Sequence, residues 1–190
     1  MPIFRNTISI IRIFAIIINC KFFCKPKNRG EYLAESFEKL GPSFIKFGQA
    51  LSVRADIVGD DIATSLERLQ DKMPPFSTKR AVATIEKELG LKLSDVFSEF
   101  ESKAVAAASI AQVHKAVTKD GETVAVKILR PGIEKKFKHD LALLYFVANI
   151  VSKFSQLKRL RPIEVIDVFA NTVKKELDLR IEAACASQLR

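Results

Sequence analysis

The residues best equipped for chemistry in this chain are a lysine on a β-rich run, a loop of small residues ahead of it, and three acids near the far end. Lys127 stands in "VAVKIL", where a strand turns Val124, Val126 and Ile128 towards a core on alternate positions. Lysine is rarely buried without a counter-charge, so an anionic partner is demanded. The loop "AAASIAQV" (106–113) has the small residues that let backbone N–H groups approach phosphate oxygens, except that alanines stand where glycines are usual. Glycine admits positive φ and leaves no Cβ in the way; alanine forfeits both, so this loop is expected to be stiffer and to hold a phosphate-bearing ligand in a different pose. The segment "KKELDLRIEAACA" (174–186) supplies candidate partners for the lysine in Glu176, Asp178 and Glu182. On a continuous helix Asp178 and Glu182 share a face, while Glu176 projects about 200° away from Asp178. Beside Lys174, Lys175 and Arg180 these acids would in isolation make a salt-bridged solvent surface. Earlier in the chain Lys46 and Gln49 stand three apart on one helix face, with Gly48 between them.

Helices and a small sheet must position these groups. A Lys/Asn/Gly break at 27–30 precedes a helix over "EYLAESFEKL" (31–40), which Gly41 and Pro42 end. Ser43 is the expected N-cap of the next, "FIKFGQALSVRAD" (44–56), whose Phe44, Phe47 and Leu51 form a stripe for burial. A third helix is expected over 61–71, stopped by Pro74 and Pro75, and a fourth over "TKRAVATIEKEL" (78–89), between a capping Ser77 and Gly90. Beyond about residue 95 short β-rich runs flank Lys119-Asp120-Gly121, and Asp-Gly in that position marks a hairpin. Pro131 and Gly132 end the last strand, helix resumes over 133–151, and Pro162 opens one long final helix to 189.

Taken in order, "LGPSFIKFGQALSVRADI", "LQDKMPPF", "AAASIAQVH", "VAVKILRPG" and "ELDLRIEAACA" resemble the UbiB-type atypical kinase family, whose members act in ubiquinone (coenzyme Q) biosynthesis; the resemblance covers 31–190. It implies an α+β fold: a kinase-like N-lobe, with a small antiparallel sheet and a long helix (104–190), preceded by a helical K-x-G-Q extension (31–103) and a basic, apolar segment (1–30). It implies ATP bound by Val105, Ala106, Ala107, Ala108, Ser109, Ile110, Ala111, Gln112 and Val113, with Lys127 contacting the nucleotide and Glu182 pairing with Lys127. Lys46, Gly48 and Gln49 match the K-x-G-Q motif, which in the family folds over the nucleotide site and has a regulatory role. Glu176 and Asp178 match its E-x-D motif, with Glu176 the expected partner of Lys46.

Phosphoryl transfer further needs a catalytic-loop aspartate, an asparagine for metal and a D-F-G aspartate. The sequence holds neither H-x-D-x-x-x-x-N nor D-F-G. The chain is therefore expected to be the N-terminal half of such a protein, lacking the C-lobe. It would have no catalytic residue or metal site of its own and be inactive alone, with Mg²⁺ only if a separately encoded C-terminal half supplies its ligands.

The net charge of +9 is unevenly placed. Residues 1–30 carry Arg5, Arg12, Lys21, Lys25, Lys27 and Arg29 and no acid, and a second basic run comprises Lys135, Lys136, Lys138, Lys153, Lys158, Arg159 and Arg161. Anionic partners follow. The apolar stretch "ISIIRIFAIIINC" (8–20) is interrupted by Arg12 and as a helix reaches only about 20 Å, against the roughly 30 Å hydrocarbon core. No small-x-small cleavage site follows it, so a helix lying on anionic lipid is the preferred reading over a signal peptide, a core helix of the folded domain being the plain alternative. The expected location is peripheral, on the cytoplasmic face of a bacterial inner membrane, and the alternative function is a non-enzymatic membrane-surface module. Nucleic acid is not an expected partner: there is no tryptophan, Tyr32 and Tyr145 are the only tyrosines, and no aromatic-basic interleaving marks a stacking surface. Cys20, Cys24 and Cys185 form no C-x-x-C pair, which suits a reducing compartment. His114 and His139 are too few and too separated for a metal site, and His114 is expected to pack or hydrogen-bond near the loop.

Overall fold

The computed structural model describes residues 28–69 and 73–188, together with Ile13, Ala15, Ile16, Asn19 and Lys25. The expected interfacial helix at 8–20 lies largely outside the described residues. The chain forms two compact units, Met1–Gln70 with Lys135–Glu176, and Asp71–Glu134 with Leu177–Arg190. The fold is α+β: helices with one small antiparallel sheet of four strands.

In the first unit, α1 (Arg29–Leu40) and α2 (Pro42–Ser52) meet at Gly41. Its φ of +99° suits glycine; its N–H bonds back to the Phe37 and Glu38 carbonyls, and its carbonyl accepts the Phe44 and Ile45 N–H groups. Gly41, not Ser43, therefore caps α2, and Pro42 takes the first helical position, where no N–H is needed. Gly30, expected in a break, lies inside α1. A Cβ there would come within 2.2 Å of Ser65 Oγ, so its absence lets α1 lie close against α4 (Asp60–Glu67). The helix expected to run to 56 stops at Ser52, where the Arg54 N–H turns back to the Leu51 carbonyl. A separate single turn, α3 (Ala55–Val58), follows, with Arg54 gripping Asp56 through two 2.8 Å bonds. Helix α4 ends four residues short of the expected 71.

The expected stripe does enter the core: Phe44 is buried, and Phe47 packs against Phe37 at 6.1 Å and Phe169 at 5.1 Å between ring centroids. Phe169 belongs to α9 (Pro162–Leu177), which α7 (Ile133–Val151) joins through a Tyr145–Asp167 hydrogen bond of 2.7 Å. The compact units thus interleave along the chain: the 135–176 segment groups with the K-x-G-Q helices, which it meets through Phe169 against Phe47 and Glu176 against Lys46. Between α7 and α9 lies the single-turn α8 (Ser155–Lys158).

In the second unit, α5 (Thr78–Leu89) starts after Ser77 and closes at Gly90, whose φ of +68° is left-handed. Ser77 caps with its backbone carbonyl, which accepts the Arg80 and Ala81 N–H groups, and not with its hydroxyl. After α6 (Leu93–Val96) come β1 (Phe97–Phe100), β2 (Ala106–Ala107), β3 (Ala111–Thr118) and β4 (Thr123–Leu129), with β3 paired antiparallel to all three others. The Asp-Gly hairpin forms as expected between β3 and β4, with Gly121 at φ +84° and the Thr118 N–H bonded to the Glu122 carbonyl. On one face of the sheet Ala81 and Ile85 of α5 pack with Ile128, ringed by Phe76, Leu93, Phe97, Phe100 and Val126.

The expected single final helix is broken. The ladder stops at Leu177 and a new helix, α10 (Leu179–Gln188), begins after Asp178, whose carboxylate accepts the Arg180 N–H at 3.2 Å. Aspartate favours this N-cap role because its short carboxylate competes with helix propagation for a backbone donor. Asp178 and Glu182 therefore do not share one continuous helix face.

Candidate functional site

Strand pairing divides the sequence motifs between the two faces of the sheet, with Lys127 on the face opposite the core. In an antiparallel sheet, directly opposed residues point to the same side. Ala106 opposes Val113, and Val113 opposes Lys127, so these three form one row across β2, β3 and β4. Ala107, Gln112 and Ile128 form the next row and turn to the other face. At the end of the first row Lys127 Nζ donates to Glu182 Oε2 at 2.5 Å, with 36% of the lysine and 60% of the glutamate side chain exposed. Glu182 lies in the first turn of α10, next to the Asp178 cap. There the Arg180 guanidinium, bonded twice to Asp178 at 2.8 Å, together with the Arg180 N–H, holds the Asp178 carboxyl below the usual carboxylate range.

The alanine-rich loop is the turn of a β2–β3 hairpin. The Ala108 N–H bonds to the Ala111 carbonyl at 2.8 Å, leaving Ser109 and Ile110 at the tip, and none of these residues has positive φ. Two-residue hairpin turns usually need positive φ, so this one must be held from outside. Arg130, directly after β4, does so. Its N–H bonds to the Ile110 carbonyl at 2.8 Å, its guanidinium donates to the Ala108 carbonyl at 2.7 and 3.0 Å and to the Pro74 carbonyl at 2.9 Å, and it lies over the Phe76 ring. No glycine is required because the turn uses only conformations open to any L-residue. Ser109 is fully buried, and its hydroxyl has no hydrogen-bond partner among the described residues.

Behind the row, Gln112 is a fastener. Its Oε1 accepts the Phe76 N–H at 2.9 Å, and its Nε2 reaches the Phe76 carbonyl at 3.3 Å and His114 Nε2 at 2.7 Å. His114 Nδ1 stands 2.8 Å from the Glu101 carbonyl, so the ring donates there and accepts from Gln112, stacked on Phe100. His114 is thus a buried structural residue, as the sequence suggested, and the Gln112 side chain faces away from the Lys127 row. Val105 is exposed, with its N–H bonded to the Val113 carbonyl. Arg130 and Phe76 escaped sequence reasoning; "VAVKILR" contains the arginine, but no local signal marks what it reaches.

The K-x-G-Q residues lie in the first unit. Lys46 Nζ donates to Glu176 Oε1 at 2.7 Å, with the lysine side chain 14% exposed. Gln49 Nε2 donates to the Leu69 carbonyl at 3.0 Å, and Gly48 lies where a Cβ would meet Leu69 Cδ1 at 2.3 Å and Phe37 Cδ2 at 2.7 Å. Together the motif fastens α2 to α9 and to the end of the α4 segment. Among the described residues no group of His, Cys, Asp and Glu side chains is arranged to hold a metal ion, and no helix is long and apolar enough to cross a membrane.

Residues 68–190 match the ABC1 atypical kinase-like domain. The chain belongs to that family. The chain is 48% identical over 182 residues to "Probable protein kinase UbiB" of Marinobacter nauticus, an alignment covering 95% of this chain and 33% of that protein. It is 48% identical over 163 residues to the protein of the same name from Pseudomonas aeruginosa, covering 85% and 31% respectively. Among solved structures, the Rv3197–erythromycin complex from Mycobacterium tuberculosis is similar at 36% identity and a TM-score of 0.49, over 72% of this chain and 35% of that one. This ABC1-family chain spans about a third of the length of the curated relatives it matches.

Proposed function

We propose that the Lys127 face of the sheet is an ATP site, and that this ABC1-family chain acts as the nucleotide-binding part of a UbiB-type protein in ubiquinone biosynthesis. The observation that carries the reading is the Lys127–Glu182 pair at the end of the Ala106–Val113–Lys127 row. An ion pair this exposed contributes about 0–1 kcal/mol to stability, and residues 180–188 of α10 are all exposed, so the pair does little to hold the fold. Its use is better sought in a ligand. An ammonium with three donors, steered by one carboxylate, has donors to spare for phosphate oxygens. The apolar Ala106 and Val113 suit the flat face of a purine, and the braced turn at 108–111 fixes the backbone beside them.

ATP bound there supplies a transferable phosphoryl group. The chain's own part is to orient the phosphates through Lys127, to hold that ammonium through Glu182, and to keep the 108–111 backbone still through Arg130. With neither H-x-D nor D-F-G in the sequence, binding without turnover is the expected behaviour. We further propose that those motifs and the Mg²⁺ ligands come from outside these 190 residues, and that the site works at the cytoplasmic face of an anionic bacterial membrane.

Thermal unfolding tests the nucleotide reading. At a free ATP concentration about tenfold above Kd, binding adds about 1.4 kcal/mol, a rise of about 3–6 °C in the midpoint for a chain of this size. Lys127→Ala is expected to abolish the rise while leaving the unliganded midpoint close to its starting value. A midpoint indifferent to ATP, or a shift that survives Lys127→Ala, contradicts the proposal.

A further inference from the structure

The second basic run of the sequence plays no part in the sheet site. Residues 141–163 contain Lys153, Lys158, Arg159 and Arg161 and no acid, and they include the turn from α7 through α8 into α9. That turn is closed by its own backbone: the Leu157 and Lys158 N–H groups bond to the Phe154 carbonyl, Leu160 N–H to Leu157, and Arg161 N–H to Lys158, all at 3.0 Å. Arg161, with φ +49°, is the only described non-glycine residue in the left-handed region. Phe154 is 59% exposed, Leu157 40% and Ile163 37%. Lys153, Lys158 and Arg159 are exposed beside them, and Arg161 pairs with Glu164 at 2.9 Å.

Single exposed apolar residues are ordinary; several gathered with cations at one turn, whose adjoining acid Glu164 is taken up by Arg161, mark a surface made for a particular environment. We infer that this turn docks on the surface of an anionic lipid bilayer, with Phe154 and Leu157 entering the interface and Lys153, Lys158 and Arg159 meeting the headgroup phosphates. Long basic side chains can keep their charge at the headgroups while neighbouring apolar groups sink below. Each Lys or Arg near such a surface strengthens binding about fivefold. A nucleic acid would use the cations but offers no apolar layer for Leu157 and Ile163. The contact rests on the first unit alone and stands whether or not nucleotide binds the sheet.

The chain has no tryptophan, so Phe154→Trp places a single reporter at the turn. With the full chain on vesicles of phosphatidylcholine and phosphatidylglycerol in equal parts, indole emission is expected to move to the blue and to be quenched by brominated acyl chains. Phosphatidylcholine alone should produce neither effect. The charge reversal Lys158→Glu with Arg159→Glu is expected to weaken vesicle affinity by at least about 25-fold. Three results would overturn the inference: no binding to the mixed vesicles, sedimentation with vesicles while the indole stays water-like and unquenched, or the same spectral change with duplex DNA and no lipid. The second would assign the membrane contact to another segment, such as residues 1–30, and the exposed turn to a protein partner.

Discussion

At position 48 one methyl group decides whether three segments can meet. Because a Cβ there would overlap both Leu69 Cδ1 and Phe37 Cδ2, Gly48→Ala is expected to cost about 1–3 kcal/mol in urea unfolding. Gln112 is likewise a scaffold residue, tied to Phe76 and His114. Gln112→Ala leaves the Phe76 backbone groups and His114 Nε2 short of partners, at about 1–3 kcal/mol for each buried group left unpaired. On the proposed nucleotide reading, the ATP affinity of the folded fraction is expected to be unchanged, because the side chain lies behind the Lys127 row. Reduced affinity with stability intact would instead place Gln112 among the ligand contacts.

At the scale of elements, the break at Asp178 matters because it sets α10, and Glu182 with it, as a separate piece of helix. The carboxyl of Asp178 is held below its ordinary range, chiefly by the Arg180 side chain, so its capping contribution is present above the ordinary aspartate value and lost as pH falls through the depressed one. The Arg180 amide resonance is expected to lose its capped position in that acidic window, and Asp178→Asn to remove the transition while retaining a cap. Most element types were legible in the sequence because their signals are local: Gly41 and Gly90 at helix ends, Asp120-Gly121 at the hairpin, Pro162 at a first helical position. What escaped depended on distant partners. Gly30 resembles a breaker until Ser65 lies against it, and Asp178 resembles a helical acid until Arg180 turns it into a cap. The pairs Lys127–Glu182 and Lys46–Glu176 came from motif resemblance, since no spacing rule links residues 55 and 130 positions apart.

For the whole molecule, membership of the ABC1 family and a span of about a third of its relatives' length frame what the chain can do unaided. Incubated with Mg²⁺ and ATP, the purified chain is expected to release no ADP above the uncatalysed background; turnover lost on Lys127→Arg would show a complete active centre where none is expected. Localisation of the nucleotide tests the account most directly. Photolabelling with 8-azido-ATP followed by peptide mapping is predicted to mark residues 104–115, with protection by unlabelled ATP and loss of the label in Lys127→Ala. Label confined to the 133–176 helices, or indifferent to the substitution, would contradict it.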